Sequence, residues 1–182
     1  MPSAHVPDLA AYFARIGYTG SRDATVATLT AIHTHHARAI PFENLDVLLG
    51  RPVRLDLASL QAKLVDARRG GYCFEHVTLF AAVLEQLGFT PVRHSACVVL
   101  VNPRTAAPRT HMFLTVPLAE GTFVVDPGFG VLAPKVPLPL EDGEKVTFDP
   151  VSSRPEIVCQ VFFAAPTIEV SSGEPRRLSA LR

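Results

Sequence analysis

The 182-residue chain has no excess charge of either sign: 17 Lys and Arg stand against 17 Asp and Glu. Nucleic-acid binders usually carry a basic patch and a high pI, so a sequence pI of about 7.1 argues against that partner. Long hydrophobic runs are also missing. The longest near-apolar stretch, Val77 to Leu84, has Thr78 inside it and falls far short of the ~20 residues that span a bilayer. No membrane partner is therefore expected. Cysteine is scarce and odd in number, with Cys73, Cys97 and Cys159 and no CxxC. A disulfide scaffold is not expected from that pattern. The opening residues, Met1 to Asp8, lack the basic and apolar segments of a secretory signal, which makes the cytoplasm the expected location. The chain also shows no internal repeat and no low-complexity tract.

What it does have is apolar material, 48% of the residues. That is enough to offset chain entropy and build one compact domain or two small ones. Its pattern changes near residue 89. Before that point the period is helical. Leu9, Phe13 and Ile16 predict a first helix ending at Gly17, and Ser21 reads as the cap of a second, with Val26, Leu29 and Ile32 on one face, stopped by Pro41. Asp56 reads as the cap of a third, carrying Leu57, Leu60 and Leu64 and closed by Gly70-Gly71. A fourth starts at or just after Cys73 and runs to Gly88. After residue 89 the segments 92–101, 112–118, 122–125, 157–163 and 167–170 are rich in β-branched and aromatic residues and read as strands. Prolines cluster between these strands, as turn and edge markers.

The segment Arg68-Arg69-Gly70-Gly71-Tyr72-Cys73-Phe74-Glu75 carries the strongest chemical signal. Two glycines permit a tight turn before a cysteine at a helix N-terminus, where free N–H groups and the helix dipole favour a thiolate, the nucleophilic form. Taken alone, Gly-Gly also reads as a helix C-cap and Cys73 as a small buried hydrophobe. Thr110-His111 heads one strand, and Val125-Asp126-Pro127-Gly128-Phe129-Gly130 closes another. A Cys–His pair needs such a third, acidic group to orient the imidazole. Singly, His111 could be a core histidine and Asp126-Pro127-Gly128 a simple turn.

Four segments together, Ile40-Pro41-Phe42-Glu43-Asn44-Leu45-Asp46, Arg69 to Glu75, Thr110-His111 and Val125 to Gly130, resemble the arylamine N-acetyltransferase family in order and spacing. The resemblance runs from about Leu9 to Gly130 and more loosely to the end. It implies an α+β fold, with an N-terminal helical bundle (1–88) bearing the nucleophile. An antiparallel, β-barrel-like domain (89–182) would bear His and Asp, giving a cysteine-protease-like catalytic core. It also implies a catalytic triad of Cys73, His111 and Asp126, with acetyl-CoA as acyl donor and no metal. Phe42 and Phe129 are implied as the wall for a flat aromatic amine or hydrazine, with core packing weighing evenly against that role at Phe42. Gly128 and Gly130 are candidates for close backbone approach to the coenzyme's pyrophosphate.

The sequence departs from the family pattern at Val77, where Asn is common, and at Pro127, where Val is common. Family members usually run further, into a third α/β domain over the cleft, so a truncated or naturally short member is expected. The implied reaction is ping-pong: Cys73 takes the acetyl group from the coenzyme, and an arylamine or hydrazine removes it with His111 as base. Two alternatives stay open, an acyl-CoA thioester hydrolase using the same triad and a non-catalytic folded fragment. The oligomeric state is left open as well. Among the remaining features, His33, His35 and His36 have metal-like residue types, but their spacing splits them around a helix, so a solvated face is expected. Cys97 and Cys159 read as buried inert thiols, and Arg176-Arg177 is too short for a nucleic-acid patch. Glu43 and Glu75 read as structural hydrogen-bonding or ion-pairing residues.

Overall fold

The computed structural model describes residues 6–98, 109–130 and 133–140. The strands expected at 157–163 and 167–170, with Cys159 and Arg176-Arg177, lie outside the described residues. So does the far end of the 92–101 strand.

Helices occupy the first half. The first, α1 (Leu9–Ile16), begins where the Asp8 carboxylate accepts from the N–H groups of Ala10 and Ala11, and ends at Gly17 with φ 67°. The second, α2 (Val26–Ala39), is capped by the Thr25 side chain, which accepts from Thr28 N–H. Ser21, the expected cap, instead donates to Asp23 Oδ2 at 2.8 Å, so the helix starts later than a cap at Ser21 would place it, at the first residue of its apolar pattern. Ile40 leaves it in an extended conformation, φ −108° and ψ 108°, the region favoured for a residue before proline. A one-turn helix, α3 (Leu45–Leu48), comes next; it buries nothing, so no periodicity announced it.

The fourth, α4 (Leu57–Leu60), is capped by Asp56 through Ser59 N–H and passes directly into a π-helical turn, Gln61–Asp66. That turn is finished by Ala67, so Gly70-Gly71 do not end it. Gly71 instead pairs with Phe42 in an isolated parallel bridge. The fifth, α5 (Cys73–Gln86), begins at the cysteine. Val77, Leu79, Phe80, Ala81, Val83 and Leu84 on it are all fully buried. It is apolar on nearly every side, the signature of a helix enclosed by its neighbours.

The described strands are β1 (Val92–Cys97), β2 (Arg109–Leu118), β3 (Gly121–Val125) and β4 (Leu138–Pro139), each antiparallel to the next in the order of the chain. β2 and β3 form a tight hairpin, with Leu118 opposite Gly121 and Leu114 opposite Val125. The sheet packs on α5 through β2. Helices plus an antiparallel sheet is thus the architecture of the described residues.

Three histidines expected or available at the surface are core residues. His33, His36 and His76 are fully buried, which corrects the expectation of a solvated His33-His35-His36 face. The i, i+3 pair His33 and His36 turns inward against Phe80, while His35 lies near the edge and bonds the Ile16 carbonyl at 3.1 Å. Among the described residues no group of three His, Cys, Asp or Glu stands together as a metal site would require. Burial holds all three rings below their ordinary proton affinity, His36 far below and His76 down at about 4.

These rings stay neutral in the folded chain, while in the unfolded chain they take up protons near pH 6.5. By linkage, their stabilising contribution is present above that pH and is lost as pH falls toward the folded values. For His76 alone the span corresponds to about 3 kcal/mol. Urea midpoints measured from about pH 7 down to about pH 4.5 are expected to fall steadily, and less steeply in His36→Gln. A flat profile would contradict neutral buried rings.

Candidate active site

Cys73 is the first residue of α5 and is 5% exposed. It sits in the first turn of the helix, where the leading backbone N–H groups lack intrahelical partners, while those of Glu75 and His76 bond the Tyr72 carbonyl. The head of this helix is fixed by Glu75, whose Oε2 accepts from Tyr72 N–H at 3.1 Å. Its Oε1 bonds Lys63 Nζ at 2.7 Å. Lys63 also reaches Asp46 at 2.8 Å, and Arg69 binds Glu43 at 2.7 Å and Asp46 at 3.1 Å. Hydrogen bonds from Lys63 and then Arg69 hold Asp46 down at about 2. Glu43 and Glu75 therefore act in ion pairs, as their sequence positions suggested.

The hairpin register delivers the other two groups. His111 lies on β2, and Asp126 comes directly after β3. Because Leu114 faces Val125, Asp126 arrives beside the outer part of β2. The imidazole Nε2 and Asp126 Oδ2 are 2.6 Å apart, both groups buried. The second carboxylate oxygen accepts from Gly128 N–H at 3.1 Å, so the Asp-Pro-Gly turn pins the acid rather than merely reversing the chain.

Cys73 lies beside the same imidazole, close enough to add to its proton affinity. The thiol also lies 3.5 Å from the Thr110 carbonyl, an acceptor for its S–H. The His111–Asp126 pair thus lies in the same neighbourhood as Cys73. Burial alone would lower the proton affinity of His111. The hydrogen bonds to Asp126 and Cys73, together with the charges on both, outweigh it and raise the ring to about 9.

Gly128 is where the loop touches α5. A Cβ there would lie 2.9 Å from Cys73 Cα and 3.2 Å from its carbonyl oxygen. The missing side chain thus admits the helix head itself. Gly130, with φ 65°, turns the loop under the Phe42 ring, which stands 3.4 Å from its Cβ position. Phe42 is 47% exposed, so the core-packing alternative for it is corrected. Phe129 packs edge-on to His111, ring centroids 4.5 Å apart. The sequence reading missed Lys63 and named Arg69 only as part of a motif, without its ion-pairing role. It also passed over His76, one helical turn beyond Cys73.

A thiol at a helix head, beside an imidazole held by a carboxylate, is the arrangement that thiol-dependent acyl transfer uses. The profile of the N-acetyltransferase family matches residues 25–154. The arylamine N-acetyltransferase of Escherichia coli K12 is 50% identical over 124 residues, which is 68% of this chain and 44% of that protein. The solved arylamine N-acetyltransferase of M. tuberculosis superposes with a TM-score of 0.71 at 48% identity, over 76% of this chain and 53% of that one. The Mycobacterium marinum enzyme, solved in complex with CoA, gives 0.71 at 43% identity, over 76% and 52%. This chain belongs to the arylamine N-acetyltransferase family. It spans about half the length of the curated relatives it matches. Among the described residues no helix is long and apolar enough to cross a membrane.

The raised His111 has a definite pH signature. The folded ring binds its proton up to about 9, while the ordinary value is 6.5. The stability it contributes is therefore full below pH 6.5 and is lost as pH rises through about 9. In a histidine NMR titration one ring is expected to titrate near 9, and in Asp126→Asn that ring should move down. A native His111 titrating at or below its ordinary value would contradict the hydrogen-bonded pair.

Proposed function

We propose that this chain carries the acetyl-transfer chemistry of its family, with Cys73 as nucleophile, His111 as proton carrier and Asp126 as the group that orients and charges the imidazole. The observation that carries the reading is the buried His111–Asp126 bond of 2.6 Å meeting a thiol at a helix head. The donor is acetyl-CoA. The proton shared by Cys73 and His111 sits on the ring, so the Cys73 sulfur attacks the thioester carbonyl as an anion, and the coenzyme leaves as a thiol that takes the proton from the ring. An acetyl-cysteine remains. A primary aromatic amine or hydrazine then attacks that new thioester. His111, left neutral by the first step, accepts the amine proton and keeps it as the Cys73 sulfur departs, which restores the starting pair.

The causes of the His111 shift suit this order of events. Two of the four influences that raise it come from Cys73. Acetylation removes the sulfur's influence on the ring, so burial then opposes Asp126 alone. The ring gives up its proton more readily at the step where it must act as base. The first-turn N–H groups of α5 are donors for the oxyanion of both tetrahedral intermediates.

In this reading Phe42 and Phe129 flank the acceptor, and Gly128 and Gly130 shape the loop on which the coenzyme's pyrophosphate lies. The 1–88 helical unit and the 89–182 β unit, its sheet closed toward a barrel, form a cysteine-protease-like core, with the reducing cytoplasm as the setting in which a free thiol persists.

The test is a mass spectrum after incubation with acetyl-CoA. One acetyl adduct is expected on Cys73, none in Cys73→Ala, and discharge of the adduct by an arylamine such as 4-methoxyaniline. CoA release that continues without any amine would assign a thioester hydrolase instead. Undiminished amine acetylation by Cys73→Ala would remove the proposed nucleophile.

A further inference from the structure

Behind the thiol runs a second chain of polar side chains that the proposed mechanism does not use. Tyr12 on α1, His36 on α2 and His76 on α5 are all fully buried. Tyr12 Oη is 2.7 Å from His36 Nδ1, His36 Nε2 is 2.9 Å from His76 Nδ1, and His76 Nε2 is 3.3 Å from the Pro41 carbonyl oxygen. The last acceptor fixes the direction of every proton. A carbonyl can only accept, so His76 Nε2 donates. Its Nδ1, in the neutral ring, must then accept from His36 Nε2–H, and His36 Nδ1 must accept from the Tyr12 hydroxyl. One tautomer of each ring satisfies all three bonds, and burial keeps the rings neutral. The chain is thus polarised toward the carbonyl of Pro41, with the Gly71 backbone also near the ring.

That carbonyl is joined to the loop before the nucleophile. It also accepts from Gly71 N–H at 3.3 Å, and Glu43 N–H donates to the Gly71 carbonyl at 2.8 Å. These bonds place Phe42 alongside Gly71, two residues before Cys73. The Phe42 ring is half exposed and leans on Gly130, so no core packing fixes it. Its position is set by its backbone. Glu43 is anchored independently by Arg69, whereas the Pro41 side is held by the Gly71 and His76 donors.

We propose that His76, backed by His36 and Tyr12, is a positioning residue that sets the acceptor wall: it holds the Pro41 carbonyl and so fixes Phe42 relative to the thiol. The inference rests on the acetyltransferase reading for what Phe42 faces, but not for how Phe42 is held. His76 makes no contact with the His111–Asp126 pair through this chain of bonds. Its loss therefore acts on amine recognition and leaves the acylation of Cys73 alone.

Two polar substitutions separate its two nitrogens. In His76→Asn the amide replaces Nδ1, so His36 keeps an acceptor, but nothing reaches Pro41. In His76→Gln an amide N–H replaces Nε2 and reaches the Pro41 carbonyl. His76→Asn is expected to raise the arylamine KM about tenfold, the scale of one lost hydrogen bond. The rate of Cys73 acetylation by acetyl-CoA should stay unchanged, and His76→Gln should restore the amine KM. Hydrogen exchange at the Gly71 and Glu43 amides is expected to quicken in the Asn variant and recover in the Gln variant. Equal behaviour of the two variants, or a parallel fall in both half-reactions, would overturn the proposal. Absence of any amine turnover in the unsubstituted chain would strike the acetyltransferase reading, while the exchange rates would still decide whether His76 holds the segment.

Discussion

The bond between Asp126 and His111 is the constraint around which the rest of the site is arranged. Both groups are buried, and burial by itself strips a proton from imidazole. The carboxylate, fixed from its other side by Gly128 N–H, reverses that outcome and, with the Cys73 sulfur, carries the ring to about 9. The difference from the ordinary 6.5 is equivalent to about 3 kcal/mol between protonation states. Neither the helix nor the sheet supplies this alone. The hairpin register brings acid and base together, and the turn after β3 aims the acid.

The other buried histidines show that direct contact with the carboxylate, not the burial, makes the difference. His33, His36 and His76 lie in the same interior and are all pushed down. His36 and His76 bond each other, a tyrosine hydroxyl and a backbone carbonyl, all neutral partners. His33 feels the charge of Asp126 and the nearby backbone of Asp126 and Lys135, yet burial outweighs them. Neither of its ring nitrogens reaches good hydrogen-bond geometry, and an unmatched buried polar group costs about 1–3 kcal/mol. One fold thus raises one histidine beside the thiol and lowers three behind it, and burial also lowers His94 on the sheet. The division follows direct contact with Asp126, reinforced by the Cys73 sulfur.

Much of this was legible in the sequence. Helix ends marked by Gly17, Asp56 and Pro41 carry local capping or steric rules that act regardless of tertiary context. The cysteine at a helix head could be placed for the same reason. The hairpin between Leu118 and Gly121 makes the meeting of His111 and Asp126 a matter of counting along two strands. The inward turn of His33 and His36 was not legible, because polar side chains give no hydrophobic period and their burial depends on partners from α1 and α5. The delayed start of α2 was hidden because Ser21, the expected cap, spends its hydroxyl on Asp23 and leaves the cap to Thr25. The π-helical turn at Gln61–Asp66 has no sequence rule to announce it. Phe42 could not be assigned to core or cleft, since an aromatic residue beside proline suits either.

The thiol is held from two sides by unlike means, and the contrast explains why both are present. On one side α5 packs through apolar contacts, which are strong but non-directional. They fix how deep the helix lies but only weakly fix its rotation. On the other side Glu75, Lys63, Asp46, Arg69 and Glu43 form a connected set of charges across the segments that flank Cys73. Desolvating such a set opposes much of its Coulombic gain, so it is a poor source of net stability. Its bonds are directional, however, and Glu75 commits one oxygen to Tyr72 N–H and the other to Lys63. That choice locks the first turn of the helix to the loop before it. A helix seated by its apolar side chains and keyed by Glu75 presents its sulfur to His111 in one orientation, which apolar packing alone would leave free to rotate.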